Sequence, residues 1–166
     1  TLADSYSMLG GAVLACINKE KDPNLVAQLQ AEGKKIFDNA QASTEKRIEA
    51  LKEKRDDPAF EGSYIAALFS LPKTLYFHSL LYPEGEWARK DKLEKAIELF
   101  TRAVEIDPAN RRAHSGLARA YFSRGSYREA ATACDSAEAL GCRFDAAMLE
   151  TLSRYRDGRS PREESP

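Results

Sequence analysis

Two stretches of this chain can be laid over one another at an offset of 34 residues, and that periodicity limits the fold more than any other feature. The first is residues 93–108 and the second residues 127–142. In them Ala96 meets Ala130, Phe100 meets Cys134 and Ala103 meets Ala137. Steps of four and three residues put each trio on one side of a helix. The small members of each trio let an antiparallel partner helix come close, and the larger one fills the hole beside it. The partner lies between them, at residues 110–123, with Leu117, Ala118 and Tyr121 on one side and Gly125 after it. Pro108 ends one helix and Asn110 caps the next. A hairpin of this size cannot bury its apolar side alone, so the pattern predicts an all-α fold of stacked antiparallel helix hairpins.

The order Ala118, Tyr121, Gly125, Ala130, Cys134, Ala137, with Pro108 closing the earlier unit, resembles the tetratricopeptide repeat (TPR) over about residues 91–156. The resemblance implies a right-handed superhelical array that holds a protein or peptide partner in a groove lined by the first helix of each repeat. Carried onto this chain, the groove residues are Arg112, Ser115, Arg119, Phe122 and Ser123, with Leu149 and Ser153 from the following helix. Met148, Leu152 and Tyr155 continue the pattern, so residues 145–156 are expected to cap the array. The chain departs from the family at both sides. Cys142 stands where a closing proline is usual. The first helix of the earlier repeat would fall on residues 77–87, which Pro83 and Gly85 interrupt. The Lys and Asn positions of the carboxylate clamp used by chaperone-binding members fall on Leu81, Gly85 and Gly116.

Charge adds to this reading. Five arginines (Arg111, Arg112, Arg119, Arg124 and Arg128) and no acidic residue lie between Asn110 and Arg128. Arg112 and Arg119 are seven residues apart on one helix face beside Phe122, which suits an acidic partner segment with an apolar side chain. The plainer alternative is a solvated basic face. The whole chain has a net charge of -1, so no overall field favours nucleic acid.

Residues 1–88 form an N-terminal helical region, residues 89–156 the repeats and their cap, and residues 157–166 a disordered tail with nothing to bury. A first helix spans residues 3–18, where Gly10 and Gly11 suggest close approach by a neighbour. Asp22-Pro23 starts a long helix over 23–55, ~50 Å at 1.5 Å per residue. Its charged end projects into solvent or bends near residues 41–44. Residues 61–82 are the most apolar stretch. Lys73, His78 and Pro72 break it up, so it reads as a buried helix kinked at Pro72 and not as a membrane span. Tyr64, Phe69, Tyr76, Phe77 and Tyr82 would make it the aromatic centre. Helical pattern resumes near Asp91.

No catalytic, cofactor or metal constellation emerges. His78 and His114 stand alone, and Cys16, Cys134 and Cys142 have no metal-ligand spacing. The sequence therefore predicts a binding scaffold or adaptor and no enzyme. One alternative is a helical ligand-binding protein with an apolar cavity beside residues 61–82. Residues 22–26 (DPNLV) resemble a short stretch of the periplasmic T-component of TRAP transporters. Another is a structural module that self-associates through open repeat ends. Residues 8–16 (MLGGAVLAC) resemble the end of a lipoprotein signal, but Asp4 precedes them and a basic leader is missing, so a packing helix is expected. The sparse cysteines favour a reducing compartment such as the cytoplasm, with periplasmic or lipid-anchored sites as alternatives.

Overall fold

Asp-Pro pairs start the second and third helices by the same device. Asp22 Oδ1 accepts from Asn24 N at 2.9 Å, and Asp57 Oδ1 accepts from Ala59 N at 2.9 Å. The proline that follows each Asp loses nothing there, because N–H groups in a first turn have no intrahelical acceptor. The computed structural model describes residues 2–54 and 57–156, without the side chains of residues 2–4, 6 and 7. The tail 157–166, expected to be disordered, and Asp56 lie outside these residues.

The described residues form seven helices and no strand: α1 (Leu2–Lys19), α2 (Pro23–Lys52), α3 (Pro58–Ser79), α4 (Trp87–Ile106), α5 (Arg111–Arg124), α6 (Tyr127–Ala139) and α7 (Ala146–Arg156). None of them is long and apolar enough to cross a membrane. The chain divides into two compact units, Thr1–Leu99 and Phe100–Pro166. The division falls inside α4.

In the first unit α1, α2 and α3 bundle together. Gly33 and Phe37 of α2 face Leu81, just past the end of α3, and His78 of α3, and face Val13 and Gly10 of α1. Rising numbers on α2 meet falling numbers on both neighbours, so α2 runs antiparallel to each. The seat between α1 and α2 is one ring on one glycine. A Cβ added to Gly10 would lie 1.9 Å from Cζ of Phe37. Gly33 is nearly as tight, with Leu81 Cδ1 at 2.9 Å and Val13 Cγ1 at 3.0 Å from an added Cβ. Gly11, expected to share this role, has nothing within 4 Å. It sits one residue, or about 100°, round the helix and faces away from α2.

The long helix is half of a hairpin with α3; it runs unbroken through residues 41–44, and most side chains of its charged end face solvent. Thr44 is buried there, and its hydroxyl donates back to Ala40 O at 2.7 Å, which satisfies it inside the helix. The helix stops at Lys52, three residues before the expected end. In α3 the buried side chains are Ala67, Leu71, Pro72, Thr74, Leu75, His78 and Ser79. Tyr64, Phe69, Tyr76, Phe77 and Tyr82 are only half-buried. The aromatic centre expected from composition is therefore a rim, and the fully buried rings are Phe37 and His78. The helix continues through Pro72, whose missing N–H leaves the Leu68 carbonyl without its usual donor. α4 begins at Trp87, four residues before the periodicity shows it. A turn from Pro83 O to Glu86 N (3.2 Å), with Gly85 at φ +85°, delivers the chain into a first turn that has no apolar side to reveal it.

Both repeat trios are buried: Ala96 lies in the first unit, and Phe100 and Ala103 of α4 with Ala130, Cys134 and Ala137 of α6 lie in the second. The ring of Phe100 lies against Gly116 of α5, where an added Cβ would fall 2.3 Å from Cζ. Ala118, Ala130, Ala131, Ala133, Cys134, Met148 and Leu152 form one core from α5, α6 and α7. Met148 and Leu152 are the buried residues by which α7 joins this core. Burial pushes the Cys134 thiol up to about 11, with Glu138 adding to it against Arg156.

The paired glycines of α1 should respond in opposite directions. Gly10→Ala is expected to lower stability by about 1–3 kcal/mol through overpacking on Phe37. Gly11→Ala should raise it by about 0.5–1 kcal/mol through helix propensity. Urea midpoints decide this, and shifts of the same sign would contradict the seat. The cysteines give a second check. An aromatic disulfide reagent at pH 8 should label exposed Cys16 first, half-buried Cys142 later, and Cys134 only on unfolding. Early labelling of Cys134 would contradict the packing of α6.

Candidate functional site

The face that the sequence nominated is built on α5, and both ends of α5 are held firmly. At its start Asn110 Oδ1 accepts from Ala113 N at 3.0 Å. Asn110 is itself steadied by Asp107, whose Oδ2 accepts from its Nδ2 at 3.2 Å. At its end Gly125 turns left-handed at φ +82°. Ser126 N then reaches Tyr121 O at 3.0 Å and Gly125 N reaches Phe122 O at 3.0 Å, the double bond pattern that closes a helix over a glycine. α6 ends the same way at Gly141, with Cys142 N on Ala137 O at 2.9 Å and Gly141 N on Glu138 O at 2.8 Å.

The start of α5 meets the end of α6. Arg111 Nη2 donates to Gly141 O at 2.7 Å, and Cys142 Sγ donates to Arg111 O at 3.3 Å. Arg111 therefore carries its charge to the carbonyl end of α6, where the helix dipole is negative. Cys142, which replaces the usual proline, closes this clasp.

The remaining arginines separate by environment. Arg119 is half-buried with its guanidinium 5.4 Å from the centroid of the Phe144 ring. Arg124 lies over Tyr121 at 5.2 Å, and its Nε donates to Ser126 Oγ at 2.9 Å. Arg112 and Arg128 are exposed and have no acidic partner among the described residues. Two of the five cations are thus tied to local structure, one rests on a ring, and two face solvent.

The other nominated residues fall as follows. Phe122 meets Tyr127 edge-on with centroids 5.4 Å apart, and both pack on the α5–α6–α7 core. Leu149 packs on the same core from α7. Ser115 and Ser123 are half-buried. Ser153 is exposed, and its hydroxyl is spent on Glu150 O at 2.7 Å. Arg119, Phe122 and Leu149 are therefore gathered round one core, while Ser153 is turned to its own helix.

Sequence reasoning missed three rings. Tyr127 meets Tyr155 with centroids 5.0 Å apart and planes tilted at 35°, so Phe122, Tyr127 and Tyr155 make a ladder from three helices. Tyr155 was visible as a repeat residue, but nothing in the spacing tied it to Phe122. Phe144 sits between α6 and α7, outside any helical period, and no sequence signal marks it as the rest for Arg119. At the far side of α7, Arg156 pairs with Asp135 at 2.6 Å and Glu138 at 2.8 Å, which ties α7 to α6.

Chemically this surface offers fixed rings, fixed and free guanidinium groups, and no nucleophile beside a base. It suits contact with a carboxylate-bearing, partly apolar chain. Residues 88–140 match the family model described as Tetratricopeptide repeat. No curated protein and no solved structure matches the chain. The buried trios of α4 and α6, the close seat of α5 between them and this match lead to one conclusion: the segment 88–140 is a tetratricopeptide-repeat region.

Proposed function

We propose that the chain is a protein-binding scaffold that holds an acidic partner segment along α5 and α7. Tetratricopeptide repeats support protein–protein interaction in general, and the charge of α5 narrows the partner. The observation that carries this reading is the run from Asn110 to Arg128, with five arginines, no acidic residue and two of the cations exposed without an acidic partner among the described residues. A carboxylate beside Arg112 gains a charge-assisted hydrogen bond without first breaking an internal ion pair. Arg119 is held over Phe144, so less freedom is lost when it pairs. Phe122 and Leu149 supply the apolar contact, Ser115, Ser123 and Ser153 the polar edge, and Tyr127 with Tyr155 extend the aromatic surface. Holding a partner in this way needs no catalytic group.

The Arg112→Ala/Arg119→Ala double variant tests the site. Each charge-assisted hydrogen bond contributes about 1.5–3 kcal/mol, so the pair should weaken a partner by at least about tenfold. Melting should change little, because neither arginine caps a helix or joins an ion pair among the described residues, and the loss is one cation–π contact of Arg119 with Phe144, about 0.5–1 kcal/mol at such a site. Arg111→Ala is the contrast: it removes the clasp to Gly141 and should lower the melting temperature. Pull-down from native extract followed by calorimetry with the recovered partner reads both. Equal recovery by wild type and the double variant would show that the basic face is merely solvated.

A further inference from the structure

Among the described residues of the first unit, His78 is the one buried titratable group. Its side chain is fully covered, at 0 % exposure, at the end of α3. One face of the imidazole stacks on Phe37, with centroids 5.6 Å apart and planes at 17°. Nε2 lies 3.3 Å from the Tyr82 hydroxyl and 3.8 Å from Asp38 Oδ1. Nδ1 is buried and finds no hydrogen-bond partner among the described residues. A neutral ring tolerates this, because an unpaired acceptor nitrogen costs far less than an unpaired N–H on a cation.

The neighbours discourage the cation further. Lys34 of α2 lies over the Tyr82 ring at 4.1 Å and Lys92 of α4 at 5.9 Å on the same ring. Asp38 of α2 favours the cation, but its carboxylate is two-thirds exposed, so solvent screens much of its attraction. Asp91 of α4 and Glu86 before it act on Lys92 and Tyr82 and not directly on His78. α1 contributes no charged side chain between residues 5 and 18.

We propose that His78 makes the α1–α2–α3 bundle a latch that acid opens, by releasing α1. Adding a proton puts an N–H at Nδ1 with no acceptor, and charge on a ring sealed from water. The cation is stable only if the ring reaches solvent. That requires Phe37 to leave its stack, and the same Phe37 ring is what fills the seat at Gly10. The two contacts share one ring, so loss of the first undoes the second. α1 is held there by apolar contact, at Gly10 and at Val13 on Gly33, and has no charged group in that stretch to keep it.

Burial, then Lys92, lowers the His78 pKa to about 4, with Lys34 also lowering it and Asp38 opposing. The free imidazole titrates near 6.5. The open form therefore binds the proton more readily than the closed one between these values. The closed bundle has its full share of stability above about pH 6.5 and loses it as the pH falls through about 4.

Hydrogen–deuterium exchange of peptides from α1, corrected for the intrinsic rate at each pH, tests the latch. The linkage predicts that protection of α1 falls roughly 20-fold between pH 7 and pH 5. The His78→Gln variant should show no such dependence. Because that variant can fail to fold, carbon-13-labelled histidine in the wild type gives an independent reading: His78 should titrate well below the free value, and α1 protection should fall in step with it. Constant protection of α1 across this range would overturn the proposal, as would an unchanged pH dependence in His78→Gln or a His78 titrating near 6.5.

Discussion

A flat ring laid on a helix backbone where a glycine removes the Cβ is the contact on which both units depend. Phe37 on Gly10 joins α1 to α2, and Phe100 on Gly116 joins α4 to α5. Glycine within a helix costs about 1 kcal/mol in propensity. Burying a phenyl ring contributes about 1.5–3 kcal/mol, and close approach adds dispersion contacts that a Cβ would prevent. The exchange is favourable only where ring and glycine meet. Gly11 lies beside Gly10 in sequence with nothing against it.

The proposed binding surface follows from that close approach. Once Phe100 sets α5 against α4, the alanines of α5 and α6 bring those two helices together, and Met148 and Leu152 add α7. The arginines of α5 are then sorted by what the packing leaves beside them. Arg111 finds the end of α6 and Arg124 finds Tyr121, while Arg112 and Arg128 find no carboxylate among the described residues. The carboxylates nearest the ends of these helices are held locally: Asp135 and Glu138 hold Arg156, and Asp107 holds Asn110.

The helices of the repeat were legible in the sequence because their burial repeats with period and their ends carry chemistry. Asn110, Gly125 and the two trios each named a position that the fold uses as expected. The contacts between helices were not legible. Nothing in the order of residues says that Gly10 and not Gly11 receives a ring, since one residue of helical rotation decides it. The five half-buried rings around α3 pointed to an aromatic core, but Leu71, Leu75 and Phe37 occupy it because α2 covers a different side of α3. Phe144 and the Phe122–Tyr127–Tyr155 ladder come from a loop and three helices, so no local pattern joins them.

The most direct test of the ring-on-glycine account is nuclear magnetic resonance of the Cα protons of Gly10 and Gly116. The account predicts that both are shifted strongly upfield by the rings above them, with nuclear Overhauser contacts to Phe37 and Phe100 respectively, while Gly11 shows neither effect. Ordinary glycine shifts at Gly10 and Gly116, with no contact to either ring, would contradict it.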